Sequence, residues 1–434
     1  MNPARRPSQL AFAALIASLL GARDLVAQGV RPATLITLGA RAIPLATRAT
    51  STPGGRILTE AYLSQPAVAA TLTRAWLRID GMLDLEGTTL QRGELVQGAW
   101  GEGFVDRRHP HAYVHELLAG LVANGATRGA SLFAGRGFVP FGSDDPMRRP
   151  FASFPVNHHL AQILERLVAV GAVRVGPVIG EAALFNGDEP IDPSTAPLFR
   201  RFADSWSARA TLRAGAFTPA LGGSELTASF ASVRSPEYRE GRGLDQRKVH
   251  IGVCVAGSSE SLSRYALVEW ARTSEMDGGR RLFRFTSVLA EGALCRGVGG
   301  VALRLERSER PEEERLLDPF RSPRPATDNS IVGVTRWTTV TGAASLSPAS
   351  LGPIQFAPFI EIARIGVARA SPAAFDPTVF YGSNFAWRLS AGARMRAGVL
   401  HERMGRYGAA MPVRSSGSGQ SHAHPHADEL RCFP

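Results

Sequence analysis

The feature that most constrains this chain is a segment of roughly ten residues, recurring along its length, in which apolar residues alternate with polar or small ones between clusters of Gly, Pro, Ser and Asn. Successive side chains of a strand point to opposite faces, so each segment predicts a strand with one apolar and one polar face. The last is the clearest: Trp387, Leu389, Ala391, Ala393, Met395, Ala397 and Val399 alternate with Arg388, Ser390, Gly392, Arg394, Arg396 and Gly398. Trp206, Ala208, Ala210, Leu212 and Ala214 alternate with Ser207, Arg209, Thr211, Arg213 and Gly215, and Val301, Leu303 and Leu305 with Ala302, Arg304 and Glu306. A longer run sets Ala75, Leu77, Ile79, Leu83 and Leu85 against Arg74, Trp76, Arg78, Asp80, Asp84 and Glu86. No uninterrupted apolar span follows the first twenty residues or so.

Alternating strands suit a soluble β-sandwich or solenoid, or a transmembrane barrel with an apolar lipid face and a polar lumen. Loop length separates them. With strands placed from 69–86 to 386–402, the connections 87–110, 142–164, 187–204, 235–246, 308–329 and 369–385 are long, and those between them are mostly tight turns. Long and short connections in alternation are the mark of an outer-membrane barrel, with long loops outside and turns in the periplasm. The expectation is an all-β, transmembrane antiparallel β-barrel of about 14 strands, with 12 to 16 compatible with two irregular joins, "SEMDGGR" and 342–353. Trp206, Trp270 and Trp387 fall near the outer rim, where an aromatic girdle belongs.

The N-terminus agrees. Arg5 and Arg6 precede an apolar stretch from Leu10 to Leu20 and a small-residue site around Leu25, Val26 and Ala27, the pattern of a secretory signal peptide over 1–27. A periplasmic segment is expected over 28–65, the barrel over 66–408, and a disordered tail with His422, His424 and His426 over 409–434. The formal charge of +11 comes almost entirely from arginine, Lys248 being the only lysine. Cys254, Cys295 and Cys432 are too few and too widely spaced for a disulfide framework.

Three stretches, "DRRHPHAYVHEL", "PVNHHLAQIL" and "FNGDEP", together with weaker similarity through "SELTASFASVRSPE", "ALVEWARTSE" and "DPTVFYGSNFAWRLSAGARMRAG", resemble a family of largely uncharacterised bacterial proteins predicted to be outer-membrane barrels. That family carries an R-x-H-P-H-D motif, an HH loop and an F-N-G-x-E-P loop in the same order. Ala112 stands here in place of the motif's acidic residue. The resemblance implies the barrel fold and a link to heavy-metal handling rather than a defined activity.

Three functions follow as expectations. A porin-like channel for small solutes is the first. Arg74, Arg78, Arg209, Arg213, Arg304, Arg388, Arg394 and Arg396 outnumber Asp80, Asp84, Glu86 and Glu306 on the polar faces of the four clearest strands, which would favour anions. The second is a closed structural or metal-binding barrel. Its charges would pair across the lumen, and His109, His111, His158, His159, Asp144 and Asp145, on loops of one side together with Asp188 and Glu189, would offer Zn²⁺ or Cu²⁺ nitrogen and oxygen ligands. No other cofactor is indicated. The third is an outer-membrane esterase or phospholipase, for which no G-x-S-x-G elbow, P-loop or H-E-x-x-H motif is present. Expected partners are outer-membrane lipid, the barrel-assembly machinery and small solutes, and nucleic acid is excluded by export. The loop 142–164, with Pro146, Pro150 and Pro155 and a short helical pattern after a cap at Asn157, is expected either to fold into the barrel mouth or to lie over neighbouring loops.

Overall fold

The computed structural model describes residues 34–52, 55–89, 112–143, 148–190, 193–214, 223–259, 262–313, 331–371, 376–400, 404–411 and 432–433. Its architecture is one antiparallel sheet closed on itself. The strands are β1 (Thr34–Thr52), β2 (Arg56–Arg74), β3 (Leu77–Asp84), β4 (Val114–Asn124), β5 (Arg128–Gly137), β6 (Arg166–Val175), β7 (Val178–Phe185), β8 (Ser205–Arg213) and β9 (Glu225–Val233). They continue as β10 (Asp245–Ser258), β11 (Leu262–Asp277), β12 (Arg280–Arg296), β13 (Gly299–Glu313), β14 (Ile331–Leu346), β15 (Ala349–Leu351), β16 (Ile354–Arg369) and β17 (Phe385–Gly398). Each pairs with its neighbour in sequence, and β1 pairs with β17 to close the ring. The short β15 continues the line of β14 beyond Pro348 and pairs with the same strand, β16, so the barrel has sixteen staves.

The count exceeds the expected fourteen by two because the first expected strand, 69–86, is the end of β2 and all of β3, and β1 precedes both. The chain turns at Ala75 and Trp76, where Ala75 takes a positive φ of 52°, so Arg74 and Leu77 face each other across β2 and β3. The stretch 34–65, expected as a periplasmic segment, supplies β1 and most of β2. Pro44 and Pro66 hid these strands, because proline normally interrupts a ladder. Here Pro44 falls where the β1–β17 pairing skips from Ala42–Met395 to Leu45–Gly392, so its missing N–H costs no bond to β17. A bulge between Arg41 and Ile43 also breaks the alternation that a sequence reading depends on.

The two ends of the barrel differ as the loop lengths predict. The connections at 85–113, 138–165, 186–204, 234–244, 314–330 and 370–384 share one end with the chain reversals after β1 and β11, and the other end has the turns at 75–76, 125–127, 176–177, 259–261 and 297–298. The "SEMDGGR" join belongs to the long-loop end but closes in two residues, because Gly278 and Gly279 both take positive φ, 52° and 93°. At that end Asp376 caps the short helix Pro377–Tyr381, accepting from Thr378 N and Arg369 Nη2. These bonds hold its carboxyl below the usual range although its slight burial works the other way.

Alternation decides which face is which. Leu303 and Leu305 are about half exposed while Arg304 and Glu306, at the alternate positions, are buried, and Ile360 and Ile362 stand exposed either side of the buried Glu361. The outer wall is apolar and the charges are inside, the reverse of a soluble barrel. No helix among the described residues is long and apolar enough to cross a membrane, which leaves crossing by strands untouched.

The closing seam is one of the tight parts of the wall. A Cβ on Gly392 would lie 2.5 Å from Pro44 O and 2.6 Å from Leu45 Cβ, whereas one on Gly180 in β7 would meet nothing within 4 Å. Gly392→Ala should therefore destabilise the barrel by about 1–3 kcal/mol or prevent closure, and Gly180→Ala should not. Urea titration of the refolded protein, followed by the gel-mobility difference between folded and boiled samples, checks this; equal midpoints would refute the seam assignment.

Candidate functional site

The site is the barrel interior, and two chain segments occupy it. The long connection 138–165 folds inward instead of lying over the rim. The second segment is the chain after β17: residues 404–411 re-enter from the short-turn end, and Cys432 and Phe433 are buried there too.

Wall carboxylates hold the first segment. Glu361 accepts from Ala152 N at 3.0 Å, from Ser153 N at 3.5 Å and from Ser153 Oγ. Glu306 accepts from Asn157 N at 2.7 Å. Glu269 on β11 gathers Ser143 Oγ at 2.5 Å, Asn157 Nδ2 at 2.9 Å, Arg149 Nη1 at 3.2 Å and His250 Nε2 at 3.1 Å. Wall guanidiniums bind its carbonyls: Arg304 to Ser153 O and Arg394 to Pro150 O, both at 2.8 Å. Phe151 lies under Arg304, whose guanidinium carbon is 4.2 Å from the ring centre. The expected helix is present as a single turn, His158–Ala161, but the Asn157 side chain makes no cap bond, since its amide is turned to Glu269.

The second segment fills the β4–β9 half. Arg213 donates to Ala410 O at 2.9 Å and Ser131 Oγ accepts from Ala409 N at 2.9 Å, while Arg209 donates to Gly405 O. Arg406 pairs with Glu225 at 3.2 Å, and Tyr407 Oη donates to Glu116 at 3.0 Å. Tyr407 packs into a buried cluster with Leu118, Phe133, Val168, Val170 and Phe185, all on the inner face of the wall. The two segments meet the wall together at His115, whose Nδ1 is 2.7 Å from Glu165 Oε1 and whose Nε2 is 2.9 Å from Met404 Sδ. The tail expected over 409–434 is thus part of the interior at 409–411 and 432–433.

The predicted arginines separate into groups. Arg78, Arg209, Arg213, Arg304 and Arg388 form ion pairs with Asp80, Glu181, Glu225, Glu291 and Glu361, at 2.8, 2.6, 3.2, 2.7 and 3.4 Å. Arg394 lies between Phe359 and Phe433, 5.4 and 5.5 Å from their ring centres. Arg74 is exposed at the end of β2 and Arg396 is half-buried near the end of β17. Most of the partner acids lie outside the four clearest strands. Glu116, Glu181, Glu225, Glu269, Glu291 and Glu361 sit on inward positions of other strands, where the same alternation would have found them.

Of the predicted metal ligands, His109, His111, Asp144 and Asp145 lie outside the described residues. His158 and His159 are adjacent on the helical turn His158–Ala161, their ring centres 4.4 Å apart, and His158 is buried beside Phe154. Asp188 accepts from Asn186 Nδ2 at 2.7 Å and Glu189 pairs with Arg166 at 2.8 Å, so both serve the long-loop rim. Among the described residues no group of three His, Cys, Asp or Glu is placed to hold a metal ion. The cysteines depart from expectation, since Cys295 on β12 and Cys432 form a disulfide across 137 residues.

No protein-family model matches the chain, and no curated protein does. Among solved structures it is similar to an anion-selective porin from Comamonas acidovorans, 11% identical, with 85% of this chain and 100% of that chain covered and a TM-score of 0.47. It is also similar to a loop-deletion mutant of OmpT, an outer membrane protein of Vibrio cholerae, at 9% identity, 84% and 99% coverage and a TM-score of 0.47. Pseudomonas aeruginosa OccK2 in complex with glucuronate matches at 10% identity, 86% and 100% coverage and a TM-score of 0.40. Likeness at this level carries no argument about solute or mechanism.

Glu361 is the test of how the inserted loop is held. Removing one partner of a buried pair leaves the other charge uncompensated, at a cost of roughly 3–5 kcal/mol. Glu361→Ala should therefore speed amide hydrogen exchange at Ala152 and Ser153 by orders of magnitude, with Glu361→Gln intermediate. Unchanged exchange at those two amides would show that the loop is held elsewhere.

Proposed function

We propose that this protein is an outer-membrane barrel of porin-like build, shut at rest by its own inserted segments, through which small polar solutes pass when those segments move. An apolar outer wall around a charged interior is what a bilayer requires of a spanning sheet, and closure leaves no unpaired edge in lipid. The single observation that carries the resting closure is the double occupancy of the lumen, with 148–157 on the β11–β17 wall and 404–411 on the β4–β9 wall.

An anion preference is not part of the proposal. It rested on an arginine excess, and five of the eight arginines are ion-paired with wall acids. The inward Leu118, Phe133, Val168 and Phe185 also argue against a permanently water-filled pore on that side, since such a surface is favourable only when covered.

Planar-bilayer recordings test this. The wild-type barrel should give no steady conductance, and the double substitution Glu269→Ala with Glu361→Ala, which removes two of the three carboxylates holding the loop, should give openings. Steady wild-type channels would overturn the resting closure. Silence from a correctly folded double variant would favour a structural barrel with no transport role.

A further inference from the structure

Cys432 and Phe433 are the last described residues of the chain and both pack against the interior, and the position of Cys432 explains what the disulfide does. Cys295 is the last residue but one of β12, next to the tight turn at Gly297 and Val298 on the short-turn end. Cys432 and Phe433 are seated beside it in a buried cluster with Ala293, Ala302, Ala343 and Phe151. Phe151 belongs to the loop that entered from the opposite end, so the two inserted segments touch at this point. Phe433 also covers one face of Arg394, the same arginine that binds Pro150 O. The seat is shaped for sulfur: a Cβ on Gly300 of β13 would collide with Cys432 Sγ and lie 3.0 Å from Cys295 Sγ.

Resting on the closed-barrel reading above, we propose that Cys295–Cys432 is a thiol–disulfide exchange site that latches the plug from the periplasmic side, and that a dithiol reductant opens it. A thiolate of the reductant attacks one sulfur, the Cys295–Cys432 bond breaks, and a mixed disulfide forms. The reductant's second thiol then displaces it, so two cysteine thiols form and the dithiol leaves as a disulfide, a transfer of two electrons. The retained contacts of Cys432 are weak without the covalent bond. Its N–H reaches Cys295 Sγ at 3.4 Å, and Phe433 is held by apolar packing and by the Arg394 guanidinium over its ring. Their release uncovers Phe151 and one face of Arg394, which removes the lower stop of the inserted loop. Cys295 and Cys432 are themselves buried, and Val298, exposed at the adjoining turn three residues from Cys295, marks how near the latch lies to the mouth that a soluble reductant would approach.

The experiment uses the full chain with Cys254→Ser, refolded into liposomes, with dithiothreitol as the probe. Two readouts are kept separate: maleimide–polyethylene glycol labelling counts exposed thiols, and liposome swelling in small sugars reports flux. Labelled thiols should rise from zero to two per chain, and swelling should start only after reduction. Cys432→Ala should swell without reductant and ignore it. Thiols that label only after denaturation would overturn the exchange site. Two labelled thiols with unchanged swelling would overturn the latch while leaving the resting closure intact. Oxidised protein that already swells as fast as reduced protein would instead sink the closed-barrel reading itself.

Discussion

A sheet closed with its apolar face outward must dispose of charge in an enclosed space, and the rest of this structure answers that constraint. Arginines and glutamates on alternate inner positions of neighbouring staves meet at hydrogen-bonding distance, as Arg209 and Glu181 do at 2.6 Å and Arg304 and Glu291 at 2.7 Å. Buried ions are costly unless each is paired and its remaining donors and acceptors are satisfied. Wall pairs alone do not complete that inventory. Glu269, Glu306 and Glu361 take donors from the inserted loop, and Arg304 and Arg394 take carbonyls from it.

The plug is therefore part of how the wall is neutralised, and opening the lumen means exchanging those bonds for bonds to water or solute. The two halves of the interior differ in the residues that exchange would expose. On the β11–β17 side it uncovers carboxylates and guanidiniums, which water solvates well, but also Trp337, Ile365, Phe285 and Phe359, against which Val156, Leu160 and Ala152 of the loop pack. On the β4–β9 side it uncovers Leu118, Phe133, Val168 and Phe185, together with Tyr407 on the departing segment. Apolar area of that kind resists hydration at about 25 cal/mol per Å². Both halves therefore combine ionic and apolar cover, and the disulfide-linked residues sit against the β11–β17 half.

Much of the fold was legible in the sequence because its signals are local. The period-two alternation around Arg388, Arg209 and Arg304 marked strands and faces correctly, and loop parity separated the two ends. Local signals failed where a neighbour compensates for a local defect. Pro44 falls in a two-residue gap of the β1–β17 ladder while still facing Leu63 of β2, and Ala75 turns the chain without a glycine. Asn157 has the residue type of a cap, yet Glu269, 112 residues away, claims its amide.

What the sequence by itself determined is the inversion: an apolar outer face, a charged inner one, and a chain long enough to close on itself with both ends at the short-turn side. What only the tertiary structure decided is what fills the inside. Whether Arg304 faces water or Glu291, whether 148–157 lies over the rim or in the lumen, and whether Cys432 trails away or meets Cys295 all depend on which side chains closure brings opposite one another. A repeat of two residues fixes the direction in which a side chain points, but its partner across an enclosed space is set by curvature and register summed over sixteen strands.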